Sequence, residues 1–267
     1  MKKCFAIQVP FLSFYSKGCY RAACFDWKGT GFAYLFLLLA ICWIPATVKF
    51  HIIFSDFIRK DAQAIINQIP QITVSHGIAS VDAAQPYFIK APKTQKVLVV
   101  IDTTGKINDL KNTEALGLIT KNEAIFKKSA VETQSFNYKN IDHLVLNQQE
   151  AGKWSEIARR YVALIFYPFA VIGSFVFRIV QILIYAAIGI LLASWCGSKR
   201  SYDSLLRLST VAVTPGIIIN TLLGIAQIRV PFAALWFFLI AMVYLFIGVR
   251  ECAKDIAQPG DSTAATF

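Results

Sequence analysis

The sequence predicts an α-helical polytopic membrane protein of about four transmembrane helices, with an inserted small, mainly antiparallel β extracytoplasmic domain. Three observations predict it. The chain of 267 residues is 56% hydrophobic and only 16% charged, whereas soluble domains carry about 25% charged residues. Its apolar residues gather in four long runs, none of which contains Asp or Glu. The one long polar stretch, residues 55–160, holds 14 basic and 11 acidic residues and alternates short β-like runs with turn residues.

Residues 1–30 form a cytoplasmic, interfacial amphipathic segment. It mixes Phe11, Phe14, Tyr15, Tyr20, Phe25 and Trp27 with Lys17, Arg21 and Lys28, the make-up of a helix lying in the headgroup layer. The expectation is a collar on the first span; its basic content is too modest for a dedicated anionic-lipid motif. Residues 31–54, "GFAYLFLLLAICWIPATVKFHIIF", are the first transmembrane helix. A helix of that length runs about 36 Å against a hydrocarbon core of about 30 Å. The run is too long, and too far into the chain, for a signal-peptide core, so it is expected to be retained.

Residues 161–196 would make a helix of about 54 Å, too long for one upright span. The expectation is a long or broken second segment, interrupted near Pro168 or Gly173. A back-to-back pair of spans would need a turn in the middle, and "SFVFRIVQ", Ser174 to Gln181, offers none. Residues 208–226, interrupted by Thr214-Pro215-Gly216, are the third helix. Residues 231–249, opened by Pro231, are the fourth. A short connection at 227–230 makes these two a tight hairpin. Residues 197–207 are a loop, and 250–267 a tail predicted to be disordered.

Basic residues near the short loops set the orientation. Lys2, Lys3, Lys17, Arg21 and Lys28 precede the first span; Lys199, Arg200 and Arg207 lie between the second and third; Arg250 and Lys254 follow the fourth. Four spans put all three groups, and both termini, on the cytoplasmic side. The formal charge of +11 is thereby assigned to orientation, and no nucleic-acid partner is expected.

In the 55–160 domain, residues 56–68 are predicted to continue the first helix, ended by Pro70. Strands are predicted at 71–75, 86–90, 96–102, 116–120, 123–129, 133–139 and 142–148, separated by Gly, Pro, Asn and Asp. Residues 151–160 return as a helix into the second span.

One stretch suggests chemistry. "VLVVIDTTGK", residues 97–106, delivers Asp102 from an apolar strand to a turn of Thr103, Thr104, Gly105 and Lys106. An aspartyl-phosphate enzyme would follow the aspartate with Lys-Thr-Gly-Thr or a second acid two residues on; neither is present. A P-loop would need Gly at 100 and Ser or Thr at 107, where Val100 and Ile107 stand. The preferred reading is structural: Asp102 ends a strand and accepts backbone N–H bonds, and Gly105 supplies a positive φ.

Within the apolar runs, Arg178 and Gln181 share a helix face and Asn220 lies in the third span. Such groups tend to face a bundle interior or mark a pathway. The plainer expectation is interhelical hydrogen bonding by Gln181 and Asn220, with Arg178 near an interface or paired to a carbonyl. Cys19 and Cys24 are separated by four residues with no histidine nearby, so neither a disulfide framework nor a zinc site is expected. No cofactor is expected.

"QIPQITVSHGIASVDAAQPYFIK" followed by "KVLVVIDTTGKI", together with "WKGTGFAYLFLLLAICWIP" in the first span, resembles an uncharacterised bacterial membrane family, the one catalogued as domain of unknown function 1189. The resemblance covers roughly residues 10 to 250, and the Asp102-Thr103-Thr104-Gly105 turn is its most specific part. It implies no established activity and no catalytic residues. Some members are linked to maltodextrin-utilisation operons, which implies carbohydrate uptake as one context. "SYDSLLRLSTVAVTPGIIINTLLGI", Tyr202 to Ile225, is similar to the pattern of the Yip1-like membrane superfamily, whose members often have five spans.

Three functions follow as expectations. The first is a non-catalytic inner-membrane protein that presents its β-domain for binding or assembly, with the lipid bilayer and a membrane-protein partner or a second copy as partners. The second is an accessory component of a transport system, motivated by Arg178, Gln181 and Asn220. The weakest is a membrane hydrolase using Asp102.

Overall fold

A computed structural model describes residues 8–27, 29–110, 113–129, 132–197 and 200–254. The predicted tail beyond residue 254, and Lys2, Lys3, Lys28 and Lys199 of the basic groups, lie outside the described residues. In chain order come α1 (Val9–Leu12), α2 (Lys17–Phe25), α3 (Phe32–Phe57), a π-turn (Ile58–Ala62) and α4 (Gln63–Ile66). Then follow β1 (Ile72–Ser75), β2 (Ile78–Val81), β3 (Tyr87–Lys90), β4 (Val97–Ile101), β5 (Gly117–Ile119), β6 (Glu123–Lys127), β7 (Thr133–Asn137) and β8 (His143–Leu146). Last are α5 (Gln148–Trp195), α6 (Tyr202–Ala226) and α7 (Ala233–Lys254). Two compact units result, one from residues up to Lys49 and from Leu164 onward, the other from Phe50–Ala163.

Among the described residues four helices are long and apolar enough to cross a membrane, beginning at Phe32, Gln148, Tyr202 and Ala233, and the first unit holds most of their length. Their apolar runs contain few residues that compete for backbone hydrogen bonds, so the helix is the conformation that satisfies every N–H and C=O. Pro45, Pro168 and Pro215 are all accommodated inside continuous helices. The expected break near Pro168 or Gly173 does not occur: α5 is one helix of 48 residues, about 72 Å long. Ending a helix there would strand about four N–H and four C=O groups at the new ends. Proline removes only one hydrogen bond, and no turn residue compensates for a full break.

The core of this unit centres on α6, whose Leu205, Leu208, Val211 and Ala212 are fully buried. Leu35 of α3, Ile182 and Ala186 of α5, and Leu245 and Val249 of α7 close around them. The N-terminal segment is not a collar lying on the first span. Helix α2 packs against α6 and α7, burying Cys19, Tyr20, Ala23 and Cys24 in the same core. The Tyr20 ring stacks on Tyr244 at 6.2 Å and its hydroxyl donates to the Ser13 carbonyl at 2.6 Å. Gly248 makes room for it: a Cβ there would stand 3.0 Å from the Tyr20 ring and 3.1 Å from Leu208.

Two arginines donate to carbonyls in the last described turns of helices. Arg207 donates to the Cys24 carbonyl in the last turn of α2 at 3.1 Å. Arg200 donates to the Cys252 carbonyl in the last turn of α7, and its guanidinium lies over the Phe25 ring at 4.8 Å. Each places a cation where a helix C-terminus is negative.

In the second unit, α4 ends at Ile66, ahead of Pro70. Each of the seven predicted strand runs contains a strand, and β2 is an eighth. His76 and Gly77 join β1 to β2 with φ of 51° and 79°, and Ser75 pairs with Ile78. This is the two-residue hairpin turn that requires positive φ at both positions. The strands form two sheets, of order β2-β1-β8 and β3-β4-β5-β6-β7. All ladders are antiparallel except β4–β5. The parallel pair is joined across residues 102–116, whose described residues form no helix. Ile107, Leu110 and Ala115 of that crossover cover one face of the larger sheet at Val100 and Leu118. On the other face Ile89 and Ile101 pack with Ile72 of the smaller sheet and with Ile65 and Ile69. Val74, Ala79 and Tyr138 form a third small cluster.

Candidate functional site

The crossover begins at Asp102, directly after β4. Val100 and Ile101 are buried on opposite faces of the sheet, which fixes the strand and delivers Asp102 to its end fully buried. Its Oδ1 accepts from the Thr104 N–H at 2.9 Å and the Thr104 hydroxyl at 2.5 Å. Its Oδ2 accepts from the Ile107 N–H at 2.6 Å. Thr103 turns the other way, donating from its N–H and its hydroxyl to Gln85 Oε1 at 2.5 and 2.9 Å. Gly105 has a φ of 85°, which a residue with a Cβ adopts only with strain.

Burial pushes the Asp102 carboxyl up, but the Thr104 hydroxyl and the N–H groups of Ile107, Thr104 and Lys106 outweigh it and hold the group below its ordinary value. The group is therefore a stable anion whose two oxygens are both engaged by its own loop. A nucleophilic carboxylate needs a lone pair open to its substrate, and both Asp102 oxygens are already taken up by the loop. Among the described residues Asp102 is bonded to no histidine or second acid, and no three His, Cys, Asp or Glu side chains converge on a metal-sized site. This arrangement folds the crossover onto the sheet and ties it to the residue preceding Pro86.

Of the polar groups in the apolar runs, Arg178 and Gln181 are brought together. Arg178 donates to Gln181 Oε1, and the Gln181 amide donates to the Tyr185 hydroxyl at 2.6 Å. All three lie on α5, so Gln181 bonds within its own helix and not across helices as expected. Tyr185 is buried and meets the Phe238 ring of α7 edge-on at 5.7 Å. The structure does not bring Asn220 to this group: it is exposed on α6.

One interhelical contact between polar side chains is made by residues that sequence reasoning missed. The hydroxyls of Tyr34 on α3 and Thr214 on α6 are 3.2 Å apart. One turn away, Thr210 bonds the Leu206 and Thr30 carbonyls. A Thr-x-x-x-Thr spacing on an apolar helix was the available signal.

The class defined by these features is a polytopic apolar-helix protein with an inserted two-sheet β-unit and a self-satisfied aspartate turn. The profile of one family, described as a protein of unknown function (DUF1189), matches residues 10–249, and the chain belongs to that family. No curated protein and no solved structure matches.

Proposed function

We propose that this chain is a non-catalytic protein of the bacterial inner membrane, with both termini in the cytoplasm, that presents its β-unit on the far side for binding or assembly. The observation that carries the reading is β7, Thr133–Asn137. It is the last strand of its sheet, all five of its residues are exposed, and none is charged or proline. Natural edge strands are usually blunted by lysine, proline or a covering loop. A neutral open edge accepts an added strand through its backbone groups, with side chains supplying selectivity. The engaged carboxylate of Asp102 supports the non-catalytic part of the reading.

The test is a pull-down with the full-length protein carrying a photo-cross-linker at Gln134 or Phe136. A partner captured through β7 is the expected result. No partner, together with turnover of a substrate by the purified protein, overturns the reading.

A second reading, an accessory component of a transport system, is favoured by the Arg178–Gln181–Tyr185 chain. Carbohydrate uptake is the first substrate class to try. Its test is a deletion strain complemented with alanine at Arg178, Gln181 and Asn220; full restoration of uptake removes it. The likeness of Tyr202–Ile225 to Yip1-like proteins belongs to this proposal too, with four spans in place of the five common there.

A further inference from the structure

We propose that β7 pairs with β7 of a second copy of this chain, antiparallel and centred on Ser135, so that two β-units share one continuous sheet. This rests on the reading of β7 as a binding edge and names its occupant. The register inside the sheet fixes which backbone groups are on offer. The Tyr138 N–H donates to the Asn122 carbonyl, and the Lys128 N–H to the Glu132 carbonyl. Opposed residues of antiparallel strands alternate between bonded and non-bonded pairs, so Ala124–Phe136 and Phe126–Gln134 are the bonded pairs of β6 and β7. The N–H and C=O groups of Thr133, Ser135 and Asn137 therefore point away from β6.

The two edges of this sheet are finished differently. At β3, the Gln68 side chain accepts from the Lys90 N–H at 2.9 Å and donates to the Lys90 carbonyl at 3.0 Å. One amide thus takes the place of a neighbouring strand. Among the described residues no such cap lies on β7, whose five residues are all exposed. A sheet with one closed and one open edge joins to itself as a two-fold dimer and stops there, whereas two open edges would let chains add without end.

Three features select a second copy as the occupant. With Ser135 opposite Ser135, Thr133 of each chain faces Asn137 of the other, and the outward groups of the whole strand are met. Charge favours the same arrangement. Inside each chain Lys127 pairs with Thr133 and Glu123 with Asn137, so each outer row of the joined sheet runs from Lys127 of one chain to Glu123 of the other. A parallel seam would bring the two lysine ends together. Finally, Phe126 and Phe136 are both exposed and meet at 5.9 Å. In the seam Gln134 faces Phe136 of the second copy, and the two Phe136 positions become diagonal neighbours about 7–8 Å apart, within reach of aromatic rings. The four rings then form one strip across the seam. A foreign strand can match the backbone groups; the charge pattern and the rings are met by this chain's own sequence turned end for end. Two chains anchored in one membrane also meet at a raised effective concentration, which favours a seam this short.

The test co-expresses two differently tagged full-length chains in bacterial membranes, one carrying Gln134→Cys and the other Phe136→Cys, and oxidises them. Opposed residues of a non-bonded pair lie about 4.5 Å apart at Cα, within the span of a disulfide. Each of these positions lies about 7–8 Å from its own counterpart, outside that span. The mixed pair is expected to cross-link about fivefold more than either variant paired with itself. Because the Ser135 N–H points away from β6, Ser135→Pro keeps the sheet's own bonds and blocks the seam. It is expected to lower co-purification of the two tags about tenfold, whereas Ser135→Ala keeps it.

Cross-linking of the mixed pair no stronger than that of either variant alone overturns the proposal, and so does co-purification that persists in Ser135→Pro. If Ser135→Pro does not accumulate, the cysteine pairs decide the outcome. A photo-cross-linker at Gln134 that captures a different protein and no second copy removes this proposal and leaves β7 as a binding edge. Capture of neither removes both.

Discussion

At Asp102 one side chain closes a crossover whose described residues form no helix or strand. Replacing it by alanine leaves the Thr104 and Ile107 N–H groups without partners, and the expected cost is about 1–3 kcal/mol, measured as earlier unfolding of the β-unit in urea. Because the folded pKa is lowered, the contribution is present above the ordinary carboxylate value near about 3.9 and is lost as pH falls through the lowered one. Amide exchange at Thr104 and Ile107 should therefore accelerate in acid and be steady at neutral pH. Tyr138 works in the opposite sense. Burial, and then the charge of Glu123, push its phenol up to about 12. Its contribution is complete below the unfolded value of about 10 and disappears as pH rises through the folded one. Hydrogen exchange across β1, β6 and β7 should rise between these values in the native chain, and less so in Tyr138→Phe. The aspartate turn was legible because strand, Asp, Thr and Gly follow in sequence and the bonds of the Asp102 carboxylate are all local. The two bonds to Gln85 were not, since they span 18 residues, and local pattern carries no information about them. The same holds for Tyr34 and Thr214, 180 residues apart.

Among the elements, α2 separates what periodicity reveals from what it does not. Its Cys19, Tyr20, Ala23 and Cys24 alternate with Lys17 and Arg21 in a helical pattern, so amphipathicity was evident. Whether an apolar face meets lipid or protein depends on the partner surface, here a notch at Gly248 that composition cannot display. Filling the notch should loosen the helix: Gly248→Ala is expected to cost about 1–3 kcal/mol, seen as a lower thermal transition in detergent. Removing the Arg207 clasp by Arg207→Ala should expose the buried Cys24, read as faster reaction with a thiol reagent. Seven strands were legible because their β-branched runs are bounded by turn residues. The eighth, β2, was hidden because "HGIASV" is short and begins with His76, an uncommon residue at positive φ. The continuity of α5 through Pro168 was misjudged because proline weakens a helix wherever it stands, and only the lack of an alternative turn decides whether it breaks.

For the molecule as a whole, composition and charge placement expose most of the architecture: four apolar helices and a polar insert are the coarsest features of the sequence, and they survive any error at a boundary. Orientation is the quantity to measure. With the four helices inserted as proposed, an impermeant thiol reagent should label Lys106→Cys from the far side and leave Arg250→Cys untouched in intact cells. Labelling of the second and not the first would invert the proposal. Native Cys252 is a poor reporter because it is fully buried, whereas Lys106 and Arg250 are both exposed. Arg200 and Arg207 add a constraint on how such a protein can change. In the proposed topology they count among the charges that keep a loop on its side of a bilayer, and they also donate to carbonyls in the last described turns of α2 and α7. Many membrane proteins can be turned over by moving a few basic residues from one loop to another. Here the residues one would move also bond the ends of α2 and α7, so a chain re-engineered to insert upside down is expected to lose those two contacts as well.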